Sequence, residues 1–216
     1  YTPAASVAGG RPGRMEDPRV EVALLTGLGL AAPAGLNAYI PLLVLALAGR
    51  FSDTMTLAAP YDVLSSNLGL GVILLLLSIE LVVDKVPGLD HLNDLVNTVI
   101  RPAVGALLML SVTSDAVSIN PVLAGLLGLG AAGTVHAAKV TTRVTSTATT
   151  AGLFNPLLSF GEDVIAAVSS ILAIFVPLAV LVFLIGFAVF AGWALLRRRR
   201  SGVARVATGE SPNVPR

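Results

Sequence analysis

The chain has no cysteine, which excludes a disulfide framework, a cysteine-based metal site and a thiol nucleophile. Charge is scarce too. Only 12% of the 216 residues are Asp, Glu, Lys or Arg, about half the share of an ordinary soluble domain. The net charge is +1 and no folded stretch gathers a basic patch, so nucleic acid is excluded as a partner. What fills the chain instead is apolar, with 55% hydrophobic residues and a mean hydropathy of +0.84. Only an integral membrane protein fits that composition, and the lipid bilayer is its first partner.

The charges that do exist are unevenly placed. Residues 1–21 and 197–216 hold 13 of the 27, leaving 14 for the 175 residues between. Three parts follow: a disordered N-terminal tail over 1–19, a transmembrane helical domain over 20–200, and a disordered C-terminal tail over 201–216. The first 14 residues lack the apolar core of a signal peptide, and Met15 offers a natural start, so they read as an upstream extension.

A bilayer core of roughly 30 Å takes about 20 apolar helical residues. Five segments come close. Residues 22–49 are uncharged but are interrupted by Pro33, Gly35 and Pro41, which predicts a kinked span or two half-helices. Residues 68–86 form a second span, with Glu80 and Asp84 near its end. Residues 95–113 form a third, and residues 121–142, rich in Gly and Ala, a fourth that permits close packing. Residues 164–196 are too long for one upright span, so a tilted or kinked helix bending at Pro177 is expected. The fold class is therefore all-α: a polytopic membrane helix bundle of about 4–5 spans with an interrupted first helix, five crossings being favoured. Four arginines at 197–200 put the C-terminus in the cytoplasm; if 22–49 dips in and returns, four spans remain. A weak internal repeat is also on offer, since "GLGLAAPAGLNA" at 27–38 resembles "GLGAAGTVHAA" at 128–138. Repeats with matching interrupted helices are a transporter signature.

Ten of the 14 central charges fall in two regions, residues 80–101 and 139–163. Glu80 and Asp84 stand four apart on one helix face, and a carboxylate as deep as Glu80 faces a bundle interior or a cavity. Lys85 follows at the span's end. "VPGLDHLND" makes a turn at Pro87-Gly88, after which Asp90 or Asn93 suits the next N-cap. Capping alone accounts for Asp90. Yet Asp90, Asp94, Asn97 and Arg101 form one polar stripe along a helix. Asp90, His91 and Asp94 also offer a divalent cation a hard ligand set, though no recognised metal motif, and no other cofactor is indicated. On the fourth helix, His136, Lys139 and Arg143 share a face. Lys139 and Arg143 have an ordinary alternative, snorkelling to the interface, and His136 is a buried hydrogen-bonding group or a proton relay. Electrostatics pairs this basic face with Glu80 and Asp84 across the interior. The hydroxyl-rich run 141–156, ending in Asn155-Pro156, reads as an exposed linker or a re-entrant loop. Glu162 and Asp163 suit the start of the last helix, where the dipole favours acids, or the cavity. Asn37 and Tyr39 sit at the break in the first helix, where freed carbonyls and an amide can hold an ion or polar ligand.

The runs "TGLGLAAPAGLNAYIPLLVLALAGRF", "ELVVDKVPGLDHLNDLVNTVIRPAVGALL", "HAAKVTTR" and "GEDV" resemble a bacterial membrane-protein family catalogued as a domain of unknown function, number 4126. The resemblance covers about residues 20–200. It implies a multi-spanning protein of a bacterial cytoplasmic (inner) membrane and carries no activity with it. Three functions stay open. One is a small transporter or channel, homo-oligomeric, moving a cation or small polar solute past the intramembrane charges. Another is an assembly or accessory subunit whose polar groups bind a protein partner. The third is an enzyme on a lipid-linked phosphate, for which no catalytic signature exists.

Overall fold

A computed structural model of the chain describes residues 18–52, 55–86, 89–114, 119–177 and residue 186. The side chains of Asp90 and His91 lie outside that description, as do residues 1–17, the C-terminal tail and the arginines at 197–200; Pro18 and Arg19 of the expected N-terminal tail are helical. All the elements below belong to one unit, residues 1–180. They are six α-helices: α1 Pro18–Ala34, α2 Tyr39–Phe51, α3 Asn67–Val83, α4 Leu89–Thr113, α5 Pro121–Thr150 and α6 Asn155–Phe175. A short 3₁₀ helix, Tyr61–Ser65, precedes α3. No strand occurs among the described residues. Stretches of 22, 30 and 21 residues, Leu92–Thr113, Pro121–Thr150 and Asn155–Phe175, are long and apolar enough to cross a membrane.

The first apolar run divides into two helices. Pro33 and Gly35 weaken its middle, and α1 closes with a tight turn in which the Leu36 and Asn37 amides donate to the Pro33 carbonyl. Asn37 then starts α2, its Oδ1 accepting from the amides of Tyr39 and Ile40, both at 3.1 Å. Pro41 falls in the first turn of α2, where its missing N–H costs nothing. Directions follow from register. Gly27 lies against Met109, and Gly35 against Ala132 and His136, so α1 runs antiparallel to α4 and parallel to α5. At the other end of α2, Gly49 meets Leu57 and Ser65, and Arg50 donates to the Ser65 carbonyl. The start of α1, Met55, Thr56 and Val112 line one cavity of about 420 Å³. The beginning of α1 and the end of α2 therefore share one end of the bundle. The two form a pair that turns back at residues 35–38, the alternative set against five crossings.

Two expected boundaries move. Helix α5 continues to Thr150, so the stretch read as a linker or re-entrant loop is mostly helix. Its hydroxyls explain how: Thr141, Thr142, Thr145, Thr149 and Thr150 each donate to the carbonyl four residues back. Threonine satisfies itself in this way without water. The helix stops where Ala151 and Gly152 take left-handed conformations, φ 51° and 81°. Helix α6 then starts at Asn155, nine residues before the predicted start, and ends at Phe175. Val176 is non-helical and Pro177 is helical again; of the remainder of the expected span only residue 186 lies within the described residues. Over 21 residues α6 is about 32 Å long.

Packing inverts the soluble pattern. Large apolar side chains such as Leu68, Leu75, Val122 and Leu157 are exposed, as lipid-facing residues must be. The core combines small residues and charge with large apolar side chains such as Leu30, Leu45, Leu108 and Met109. Where α4 crosses α5, a Cβ on Gly105 would lie 2.6 Å from the Gly128 carbonyl oxygen, so only glycine permits that approach. The two stretches of the suggested repeat also differ. Residues 27–38 end a helix, whereas residues 128–138 lie inside the unbroken α5.

Candidate functional site

The central charges meet in one buried cluster. Glu80, Asp84, Asp94, Arg101, His136, Lys139 and Arg143 are all buried, and Arg101 and Arg143 are 0% exposed. They come from α3 and its C-cap, α4 and α5, with Glu162 and Asp163 added by α6. The sequence spacings explain the convergence. Offsets of four from Glu80 to Asp84, seven from Asp94 to Arg101, and four from Lys139 to Arg143 each keep a pair on one helical face. Because α3 and α5 run parallel to each other and antiparallel to α4, the three faces align.

Asp84 is the hub. Its Oδ2 receives Lys139 Nζ at 2.9 Å and Arg143 Nη2 at 3.1 Å, and its Oδ1 receives Asn93 Nδ2 at 2.6 Å. Arg101 donates to Glu80 Oε1 at 2.8 Å and stands 3.8 Å from Asp84 and 3.5 Å from Asp94. Arg143 also pairs with Glu162 at 2.9 Å and with Asp94 at 3.5 Å, and Lys139 with Glu162 at 3.2 Å. At the edge, Lys85, with 35% of its side chain exposed, pairs with Asp163 at 2.8 Å. The basic face of α5 thus meets the acidic end of α3, as the sequence predicted. Neither Lys139 nor Arg143 snorkels outward; each is more than nine-tenths buried.

The turn between α1 and α2 inserts into this cluster. Its carbonyls are released because the helix has ended: Leu36 O accepts from Lys139 Nζ at 2.8 Å and Gly35 O from Arg101 Nη1 at 3.4 Å. Asn37 Nδ2 donates to Asp163 at 2.9 Å. Tyr39, half-buried, follows in the first turn of α2. Two of the protein's own cations thus reach the break, Lys139 and Arg101.

His136 has a defined role. Arg101 Nη1 is a donor and lies 3.1 Å from His136 Nδ1, so Nδ1 accepts. The proton must then reside on Nε2, which donates to Thr98 Oγ1 at 3.1 Å. Thr98 in turn donates to the Asp94 carbonyl. In this arrangement the ring is neutral and hydrogen-bonded on both nitrogens. Thr98 and Asn93 were not predicted as site residues; a signal existed in the position of Thr98 one residue from the polar stripe.

Other expectations change. Helix α4 begins at Leu89, so Asp90 lies inside its first turn rather than at the N-cap, and Asn93 reaches Asp84 instead of capping. Glu162 and Asp163 are seven and eight residues past Asn155, the start of α6; they do not cap it but face the cluster. Asn155 is at the α5–α6 turn, where its Nδ2 donates to Thr147 Oγ1 at 3.0 Å. Of the three suggested metal ligands, Asp94 stands between Arg101 and Arg143. The side chains of the other two, Asp90 and His91, lie outside the described residues.

The apolar exterior, the helices of crossing length and the ionised interior define an integral membrane protein of the helical-bundle class. A family model described as Domain of unknown function (DUF4126) matches residues 24–197, and the chain belongs to that family. No curated protein and no solved structure matches it.

Proposed function

We propose that the protein is a small membrane transporter or channel, moving a cation or small polar solute past its intramembrane charge cluster. The observation that carries this reading is the turn at residues 35–38, whose free carbonyls are held by Lys139 and Arg101. Interrupted helices meeting at buried charges are how many transporters build a site that can rearrange. A scaffold has no such need. Buried ion pairs lose so much hydration that apolar replacements are often as stable, so charges kept within spans point to function. An accessory subunit would aim its polar groups outward at a partner, whereas these pair with one another. A phosphate-handling enzyme would need Lys139 and Arg143 free, and both are held by Asp84 and Glu162. The setting we propose is a bacterial cytoplasmic membrane, with the arginines at 197–200 on the cytoplasmic side and the chain acting as a homo-oligomer.

Flux in proteoliposomes tests the function. Alkali cations, divalent cations and small polar solutes are supplied at two pH values to vesicles holding wild type, Glu80→Gln or no protein. Wild type is expected to pass at least one of them faster than empty vesicles, with the variant slowed. Equal leakage from all three across the panel refutes transport.

A further inference from the structure

The buried cluster does not balance. Setting aside the edge pair Lys85–Asp163, the described side chains bring together four carboxylates, Glu80, Asp84, Asp94 and Glu162, and three cations, Arg101, Lys139 and Arg143. His136 adds no charge, because Arg101 donates to its Nδ1. One negative charge is left over at a place with almost no water contact, where an unpaired carboxylate is costly.

The four acids are not equally supported. Asp84 receives two cations and an amide at hydrogen-bond distance. Glu162 Oε2 is within 3.2 Å of both Lys139 and Arg143. Asp94 has an arginine at 3.5 Å from each oxygen. Glu80 has one close cation, Arg101, on Oε1 alone, and its Oε2 is buried without any hydrogen-bond partner. It is also 2% exposed. The other groups packed around this site are Tyr39 from α2, His136 and Lys139 from α5, Asp84 one turn away on its own helix, and Asp163 with Lys85 at the rim. Buried oxygens on Asp94 and Asn97, and the Nε donors of Arg101 and Arg143, likewise have no hydrogen-bond partner; among the carboxylates, Glu80 is the one with a bare oxygen and a single cation.

We propose that Glu80 binds one proton, which neutralises the cluster and makes the proton the coupling ion of the transport reading above. Protonation turns Oε2 from an acceptor without a donor into a donor. It also removes the nearest of the three anions around Arg101, the residue that grips the Gly35 carbonyl at the turn between α1 and α2. Loss and gain of this proton therefore change the grip on the one interrupted element in the site. A metal cation fits less well: it needs about six oxygens, and two guanidinium groups already crowd the position.

The test is infrared spectroscopy of the full chain in lipid at pH 7, reading the carbonyl band that only a protonated carboxyl gives. Wild type carrying ¹³C-carboxyl glutamate is expected to shift that band, and ¹³C-aspartate to leave it in place. Glu80→Gln should lose the band and Glu162→Gln keep it. Absence of the band in wild type, or its shift on aspartate labelling, overturns the assignment. The labelling arm uses unaltered protein, so a Glu80→Gln chain that fails to fold does not remove the test. A band without flux would uphold the proton and refute transport; Glu80-dependent flux without the band would do the reverse.

Discussion

Replacing Asp84 by Asn is the sharpest test of the cluster. The substitution preserves shape and removes one charge from a side chain that is 2% exposed. It leaves Lys139 and Arg143 sharing Glu162, with Asp94 at 3.5 Å as the other anion on Arg143. Removing one partner of a buried ion pair costs about 3–5 kcal/mol, because the remaining charge stays dehydrated. At about 1.4 kcal/mol per tenfold, the unfolding equilibrium should shift by between two and three and a half orders of magnitude. Lys139→Met alone should cost a similar amount. The double variant should cost less than the sum by at least about 1 kcal/mol, since contacting charges couple. Reversible unfolding in mixed micelles, followed by helical circular dichroism, measures all four chains. A loss below about 1 kcal/mol for Asp84→Asn, or strict additivity in the double variant, would refute the hub.

Three further outcomes are expected. Because the chain has no cysteine, single-cysteine variants report sidedness cleanly: Asp62→Cys and Ser114→Cys should react with an impermeant thiol reagent from one side of the membrane, and Leu153→Cys from the other. Labelling of Asp62→Cys from the Leu153 side would contradict the α1–α2 return. Gly128→Ala should destabilise by about 1–3 kcal/mol through overpacking, because its Cβ would meet the Gly105 carbonyl and Met109. Gly130→Ala, with open space around it, should be neutral or gain up to about 1 kcal/mol from helix propensity; thermal melts compare the two. Thr145→Pro should cost about 3 kcal/mol or more if α5 is helical there, and an unchanged melting temperature would restore the linker reading.

Composition alone determined the class of this protein, since 55% hydrophobic residues with so few charges permit burial only in lipid. Local spacing determined which residues share a face, because a helix repeats every 3.6 residues whatever surrounds it. Glu80 with Asp84, Asp94 with Arg101, and Lys139 with Arg143 were legible for that reason, as was the break at Pro33 and Gly35. Where threonine density suggested a linker, the sequence misled: a hydroxyl is polar by composition, yet in a helix it can bond its own backbone and cease to need water. The role of Glu162 and Asp163 was hidden by the same misplacement, since an acid at a helix start and an acid two turns in carry the same letters. Only tertiary structure decided that α1 and α2 turn back together, and that Lys139 and Arg101 fill the carbonyls freed there. Those contacts join residues 66 to 103 positions apart, and no local propensity encodes a partner at that distance. Charge balance across four helices is likewise a property of their assembly, as is the packing that leaves Oε2 of Glu80 without a hydrogen-bond partner.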